Sequence, residues 1–202
     1  MTPHSHKPQA SLLLASTSPY RRELLEKLGI VFEAKAPLCD EDAFKKQISD
    51  PVKLATTLAF EKAKSLATSQ NIVIGGDQLV ALGSQIFGKP KTFAKACEQL
   101  SQMNGKTQEL ITAVCVFAFG EPHPILNITR LKMRDLSKEQ IENYVRRDQP
   151  LDSAGSYKIE KSGLTLFEKI ECEDFSAIQG LPLIALTTLL SQWDFTIPGG
   201  PL

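Results

Sequence analysis

Leu12-Leu-Leu-Ala-Ser-Thr-Ser-Pro-Tyr-Arg-Arg-Glu-Leu-Leu-Glu-Lys-Leu-Gly29 is the stretch from which the rest of the chain can be read. Leu12 to Ala15 is a short apolar run of the kind that forms a buried strand. Ser18 then occupies a helix N-cap position, and Pro19 suits the first helical position, where a missing N–H costs nothing. Leu24, Leu25 and Leu28 fall on one face of the helix that follows, and Gly29 suits its C-terminal cap. The prediction is strand, tight polar turn, helix. The turn gathers Ser16, Thr17, Ser18, free backbone N–H groups, Arg21 and Arg22 at the positive end of a helix dipole, a setting that favours an anion such as phosphate. A capped helix with two surface arginines would use the same residues, and this stretch alone leaves both readings open.

Composition narrows the class. At 202 residues, with 42% hydrophobic and 23% charged side chains, the chain can bury one sizeable core or two lobes around a cleft. Lysine plus arginine and aspartate plus glutamate are 23 each. No global basic field exists to hold nucleic acid, so an anionic ligand must be bound locally. Cys39, Cys97, Cys115 and Cys172 are scattered without a C-x-x-C pair, and read as reduced thiols. The polar stretch from Met1 to Ala10 lacks an apolar core, so no signal peptide is expected there. No run reaches the ~18–20 apolar residues of a membrane span. The expectation is a cytoplasmic protein that engages neither membrane nor nucleic acid, with loose tails at 1–10 and 196–202 and a single domain over 11–195.

Outward from the first turn, residues 30–36 read as a second strand, and Leu38-Cys-Asp-Glu-Asp42 as an acidic loop. Asp50-Pro51 opens a helix through Leu54, Leu58, Ala59, Ala63 and Leu66, with Lys62 at the edge of its apolar face. Asn71 to Ala81 reads as an apolar strand running into Gly75-Gly76 and then Asp77. A carboxylate at the end of a buried strand is a ligand or catalytic group unless it caps a turn, since uncompensated burial is costly. Gln85 to Phe87 is a short strand ended by Gly88-Lys-Pro90, which presents Lys89. Thr92 caps a helix through Leu100 and Met103. Residues 107–119 and 125–133 form an antiparallel pair about a turn at 120–124. Ser137-Lys-Glu-Gln140 is a capping box. Residues 150–163 read as loop, 164–170 as strand, and Leu181 begins a final helix carrying Leu186, Leu189, Leu190 and Trp193.

Among the polar residues, Arg21, Arg22, Lys62 and Lys89 suit a triphosphate, and Glu41 with Asp77 could hold a divalent metal or activate water. No Walker lysine loop and no G-x-S-x-G elbow occurs. His4, His6 and His123 lie in a tail or a turn, which argues against a Ser-His-Asp triad.

Ala15-Ser-Thr-Ser-Pro-Tyr-Arg-Arg-Glu-Leu-Leu, Asp40-Glu41, Gly76-Asp77-Gln78, Gly88-Lys-Pro90, Ala154-Gly-Ser-Tyr and Gly180-Leu-Pro-Leu stand here in the order found in Maf proteins. The chain resembles that family of nucleoside triphosphate pyrophosphatases over roughly residues 12–193. The resemblance implies an α/β fold with a long twisted mixed sheet flanked by helices and two lobes around a cleft, like the inosine triphosphatase architecture. It implies hydrolysis of a nucleotide to its monophosphate and pyrophosphate with Mg²⁺ or Mn²⁺, and it allows a homodimer. By the same resemblance Ser16, Ser18, Arg21, Arg22, Lys62 and Lys89 would serve the phosphates, and Glu41 and Asp77 the metal, with Asp77 also handling the attacking water. At the three positions where the family's dTTP/UTP branch has arginine, threonine and glutamine, this chain has Tyr20, Gln78 and Glu160. That set is similar to the branch acting on 7-methyl-GTP. An aromatic face attracts a cationic methylated guanine, and a carboxylate accepts from its N1–H and amine. Glu160 also lies between Lys158 and Lys161, where a plain strand-edge charge would fit. A dTTP/UTP pyrophosphatase and a non-catalytic nucleotide-binding regulator of cell division are the alternatives. Thr112-Ala113, Cys172 and Phe175-Ser176 depart from the family's usual Thr-Gly, glycine and Pro-Asn, and bear on local loop geometry.

Overall fold

The apolar run after residue 10 forms β1 (Ser11–Ala15), whose side chains from Leu12 to Ala15 are all buried. The computed structural model describes residues 11–193 and 195–198. The tails expected at 1–10 and, from residue 199 onward, at the C-terminus lie outside the described residues. Ser18 caps α1 (Pro19–Glu26) by accepting the Arg21 amide, as its N-cap position predicts. The second strand is only β2 (Glu33–Lys35).

The acidic stretch expected as a loop is instead the start of a helix. Asp40 accepts the amides of Asp42 and Ala43 and caps α2 (Glu41–Gln47). This helix buries none of its residues, so it carries no apolar periodicity for a sequence reading to find. Asp50 and Pro51 open α3 (Pro51–Lys64) as expected.

β3 (Asn71–Leu82) corrects a second expectation, because it runs straight through Gly75-Gly76 and places Asp77 in mid-strand. The glycines are there for contact. A Cβ on Gly75 would collide with the Ala63 amide nitrogen and the Ala59 carbonyl oxygen of α3, and one on Gly76 would sit 3.3 Å from Arg21 Nε. β4 (Gln85–Phe87) follows, then α4 (Phe93–Met103), capped by Thr92. β5 (Thr107–Ala118) and β6 (Glu121–Met133) form a longer hairpin than expected. Its turn is Phe119-Gly120, both with positive φ (53° and 95°), which a two-residue hairpin requires. Pro122 and Pro124 had suggested a longer turn. β7 pairs with β6 only from Arg130 onward, so both prolines lie on an edge that needs no amide.

Ser137 and Gln140 build the full capping box of α5 (Lys138–Asp148). After a loop with short 3-10 turns come β7 (Phe167–Glu171), α6 (Phe175–Ile178) and α7 (Leu183–Leu190). α6 was not expected, and α7 ends before Trp193, which sits in a 3-10 turn.

The strands make one seven-stranded sheet in the order β2-β1-β3-β5-β6-β7, with β4 on the free side of β3. β1 runs parallel to β2 and β3, and the other pairings are antiparallel. Alternation along β3 sorts the core. Val73, Leu79 and Ala81 pack with Leu54, Leu58 and Ala63 of α3. On the other face, Ile72 and Ile74 pack with α1 and α7, and Val80 joins a separate cluster with α4 and α5. Between those two clusters stand Gly76 and Gln78, which add nothing to either.

The sheet edge breaks at the same place. β1 pairs with β3 up to Ala15 and Gly75, and β4 takes over at Phe87 and Val80. Residues 76–79 therefore have no partner on that side among the described residues, and the cleft opens there, past the carboxyl end of β1.

The tight contact at Gly75 is testable by urea denaturation. Gly75→Ala should lower the unfolding free energy by about 2–3 kcal/mol, the cost of forcing a methyl group into a packed contact. Gly88→Ala, whose Cβ would meet nothing within 4 Å, should be near neutral. Equal stabilities would contradict the close approach of α3 to β3.

Candidate active site

The cleft has a volume of about 830 Å³, and its walls come from the turn after β1, the segment leading into α2, the middle of β3, the loop after β4, the 152–160 loop and the end of α6. At its floor Lys62, only 6% exposed, reaches from the last turn of α3 to the face of β3 that carries Asp77. Its Nζ donates to Asp77 Oδ1 at 2.7 Å and lies 3.0 Å from Glu41 Oε1. The other Glu41 oxygen pairs with Lys45 at 3.2 Å. A buried ammonium is tolerated only with such partners. Burial works against the charged Glu41 carboxylate, but Lys62 and then Lys45 outweigh it and hold the carboxyl below its ordinary value of 4.5. Asp77 is 7% exposed, and its second oxygen, Oδ2, is buried without a hydrogen-bond partner among the described residues.

Arg21 crosses the gap left by Gly76. Its Nε donates to the Gly180 carbonyl at 3.1 Å, and Nη1 reaches Ser16 Oγ at 3.5 Å. Burial lowers the guanidinium pKa, while Asp77 and Glu41 oppose the shift. Ser16 Oγ also accepts the Ser18 amide at 3.1 Å, which tightens the turn. Lys89 faces this group from the opposite wall. Its loop is held by Gln99, whose Nε2 donates to the Gly88 carbonyl at 3.1 Å. Ser16, Ser18, Arg21, Lys62, Lys89, Glu41 and Asp77 therefore all line one cleft. Arg22 does not. One residue on from Arg21, it projects from another side of α1 and pairs with exposed Glu26 at 3.0 Å.

Tyr20, Gln78 and Glu160 line the same cleft. Burial, and then the Glu160 carboxylate, raise the Tyr20 phenol above its ordinary value, so these two side chains act on each other across the wall. Gln78 Nε2 donates to Thr112 Oγ1 at 2.9 Å and to the Ala177 and Ile178 carbonyls at 2.9 and 3.2 Å. Its nitrogen is spent on holding α6, which leaves Oε1 as the free end of the amide. Several residues here escaped the sequence reading. Lys45 is one, and its signal was the four-residue spacing from Glu41, legible only once α2 is known to be a helix. Asp152, which pairs with Lys158 at 2.7 Å, and Gln179 on the wall had no sequence signal.

The donor set can be tested for a divalent metal. Among the described residues no group of three or more His, Cys, Asp or Glu side chains is placed to hold an ion alone. Two carboxylates, one with an unpartnered buried oxygen, suit instead an ion completed by phosphate oxygens and water, the habit of magnesium. The residues fit such an ion.

Fold and cleft together define an α/β protein with a polar, nucleotide-sized cleft built on a buried lysine and two carboxylates. The chain belongs to the Maf family: the model described as "Maf-like protein" matches residues 11–193. A "7-methyl-GTP pyrophosphatase" of Bdellovibrio bacteriovorus is 51% identical over 185 residues, covering 92% of this chain and 98% of that protein. A protein of the same name from Nitrosococcus oceani is 41% identical over 191 residues, covering 93% and 95%. Among solved structures, a HAM1 protein from Coxiella burnetii overlays with a TM-score of 0.48 at 15% identity, over 91% of this chain and 99% of that one, a loose likeness. No helix among the described residues is long and apolar enough to cross a membrane.

The depressed Glu41 carboxyl sets a pH dependence. A carboxyl whose folded value lies below its unfolded one contributes stability above the unfolded value, and that stability is lost as pH falls through the folded value. Glu41→Gln removes the contribution. The gap in unfolding free energy between wild type and Glu41→Gln should be widest near neutral pH and close as the pH drops below 4.5. A gap that does not change with pH would mean Lys62 does not hold the Glu41 charge.

Proposed function

We propose that this protein is a nucleoside triphosphate pyrophosphatase that converts 7-methyl-GTP to 7-methyl-GMP and pyrophosphate, and so removes a modified nucleotide. The observation that carries the chemistry is the unpartnered Asp77 Oδ2 beside Lys62, Glu41 and Arg21 in the sheet gap. The names of the relatives and the Tyr20, Gln78 and Glu160 set support the choice of base.

In this reading Arg21, Lys62 and Lys89 neutralise the triphosphate, with the Ser16 and Ser18 turn beside them. Asp77 Oδ2 accepts a proton from a water molecule as its oxygen attacks the α-phosphorus. The new P–O bond forms as the α–β anhydride bond breaks, and its electron pair leaves with pyrophosphate. A divalent ion held by Glu41 and Asp77 would supply charge neutralisation at the phosphates and lower the pKa of bound water. Tyr20 offers its ring face to the cationic methylated guanine, an attraction of about 0.5–2 kcal/mol. Glu160 accepts from the guanine N1–H and amine, a pair of donors that thymine and uracil lack. The cytoplasm is the compartment this reading favours, supported by a nucleotide substrate and by Cys39, Cys97, Cys115 and Cys172, which are free thiols.

Pyrophosphate release measured with 7-methyl-GTP, GTP, dTTP, UTP and CTP, with Mg²⁺ and with Mn²⁺, tests the reading. 7-Methyl-GTP should give the highest kcat/KM, and a preference for dTTP or UTP would sink the choice of base. Asp77→Asn should fold and lose on the order of 10²–10⁴ in kcat. A variant that kept more than about half its rate would remove Asp77 from the chemistry. Replacing Tyr20, Gln78 and Glu160 by Arg, Thr and Gln should lower turnover of 7-methyl-GTP and raise that of dTTP, because polar groups left unpaired against the wrong base reject it. An unchanged ranking would show that these positions do not choose the base.

A further inference from the structure

Gln179 caps α6, is half-buried and lines the cleft. The backbone around it is held from two directions. On one side Gln78 Nε2 grips the carbonyls of Ala177 at 2.9 Å and Ile178 at 3.2 Å. On the other, Arg21 Nε grips the carbonyl of Gly180 at 3.1 Å. Gln78 belongs to the side chains that face the base, and Arg21 to those that face the phosphates. Consecutive Cα atoms are only about 3.8 Å apart, so the residue between these two anchors stands between the two ends of a bound nucleotide. What lies there in a nucleotide is the sugar.

The Gln179 side chain is free to meet it. Hydrogen bonds in this segment run through Gln78, Thr112, Arg21, Asp174, Ser176 and the backbone, and among the described residues none engages the side-chain amide of Gln179. A primary amide carries one acceptor oxygen and two donor hydrogens. A vicinal diol, whose hydroxyls each donate and accept, is its complement. The neighbouring Ile178 cannot play this part, since its side chain is apolar and buried.

We infer that Gln179 is a specificity-determining residue that hydrogen-bonds the ribose 2′,3′-diol and makes the cleft selective for ribonucleotides over their deoxy forms. The inference rests on the nucleotide reading above and adds the sugar to it. Nothing in the phosphate or base contacts distinguishes the two kinds of sugar, so the discrimination falls to this wall.

The test compares kcat/KM for 7-methyl-GTP and its 2′,3′-dideoxy form in wild type and Gln179→Leu, which keeps the bulk of the side chain and loses its polar end. Wild type should prefer the ribonucleotide. The variant should lose about fivefold to tenfold on it, the worth of a hydrogen bond, and nothing on the dideoxy form, so the preference collapses. Gln179→Ser should give the same collapse with a smaller side chain, which guards against a folding defect in either variant. An unchanged preference, or an equal loss on both forms, overturns the assignment. If wild type releases pyrophosphate from neither form, the pyrophosphatase reading falls. The ratio of dissociation constants, measured by calorimetry with the same two nucleotides, then still decides the sugar contact.

Discussion

A single ammonium group, Lys62 Nζ, makes this cleft possible. Two carboxylates, Asp77 and Glu41, converge at the sheet gap, and Lys62 Nζ stands within hydrogen-bond distance of both, its charge offsetting theirs in a half-dry space. Lys62 can reach them only because α3 lies against β3, and α3 can lie there only because residue 75 has no side chain. The chain of dependence runs from a glycine to helix packing, from packing to a buried lysine, and from the lysine to the meeting of two carboxylates on one cation. Gly76 does the equivalent on the other face, where it leaves room for Arg21. The two glycines are thus the structural condition for placing cations on both sides of one carboxylate.

In the proposed reading the gap in the sheet also gives a nucleotide its orientation. β1 ends at Ala15 and hands over directly to the Ser16 to Ser18 turn and the start of α1, so the serines and Arg21 lie on one side of the gap. β4 and the Lys89 loop supply the opposite side. Gln78, next to Asp77 but on the other face of β3, ties the strand to α6, and Arg21 ties α1 to Gly180 at the far end of that helix. Gln78 and Arg21, proposed to face the base and the phosphates, are therefore braced against the same short helix. Asp174 braces it further by accepting the amides of Ser176 at 2.9 Å and Ile184 at 2.8 Å, which fixes α6 to α7.

Much of this was legible in the residues themselves. The strand, turn and helix at the start, the Asp50-Pro51 cap, the Thr92 cap and the Ser137 capping box all announce themselves through local chemistry, and each stands where that chemistry puts it. What failed was read from the wrong cause. Gly75-Gly76 looked like the end of a strand, but the glycines answer to a helix that is distant in sequence. α2 buries nothing and so has no apolar period. Pro122 and Pro124 looked like a turn because an edge strand cannot be told from a central one before the sheet is known. In the site, consecutive arginines look equivalent on paper, yet one turns into the gap and the other to solvent beside Glu26. The role proposed for Gln179 had no signal at all, since it rests only on what grips its neighbours.

In the proposed mechanism Asp77, poised by Lys62, directs water to the α-phosphorus and not to the terminal one. Hydrolysis of 7-methyl-GTP in water labelled with heavy oxygen, followed by mass spectrometry of both products, decides it. Attack at the α-phosphorus puts the label into 7-methyl-GMP and leaves the pyrophosphate unlabelled. Label in the pyrophosphate, or release of orthophosphate in its place, would contradict the assignment of the cleft.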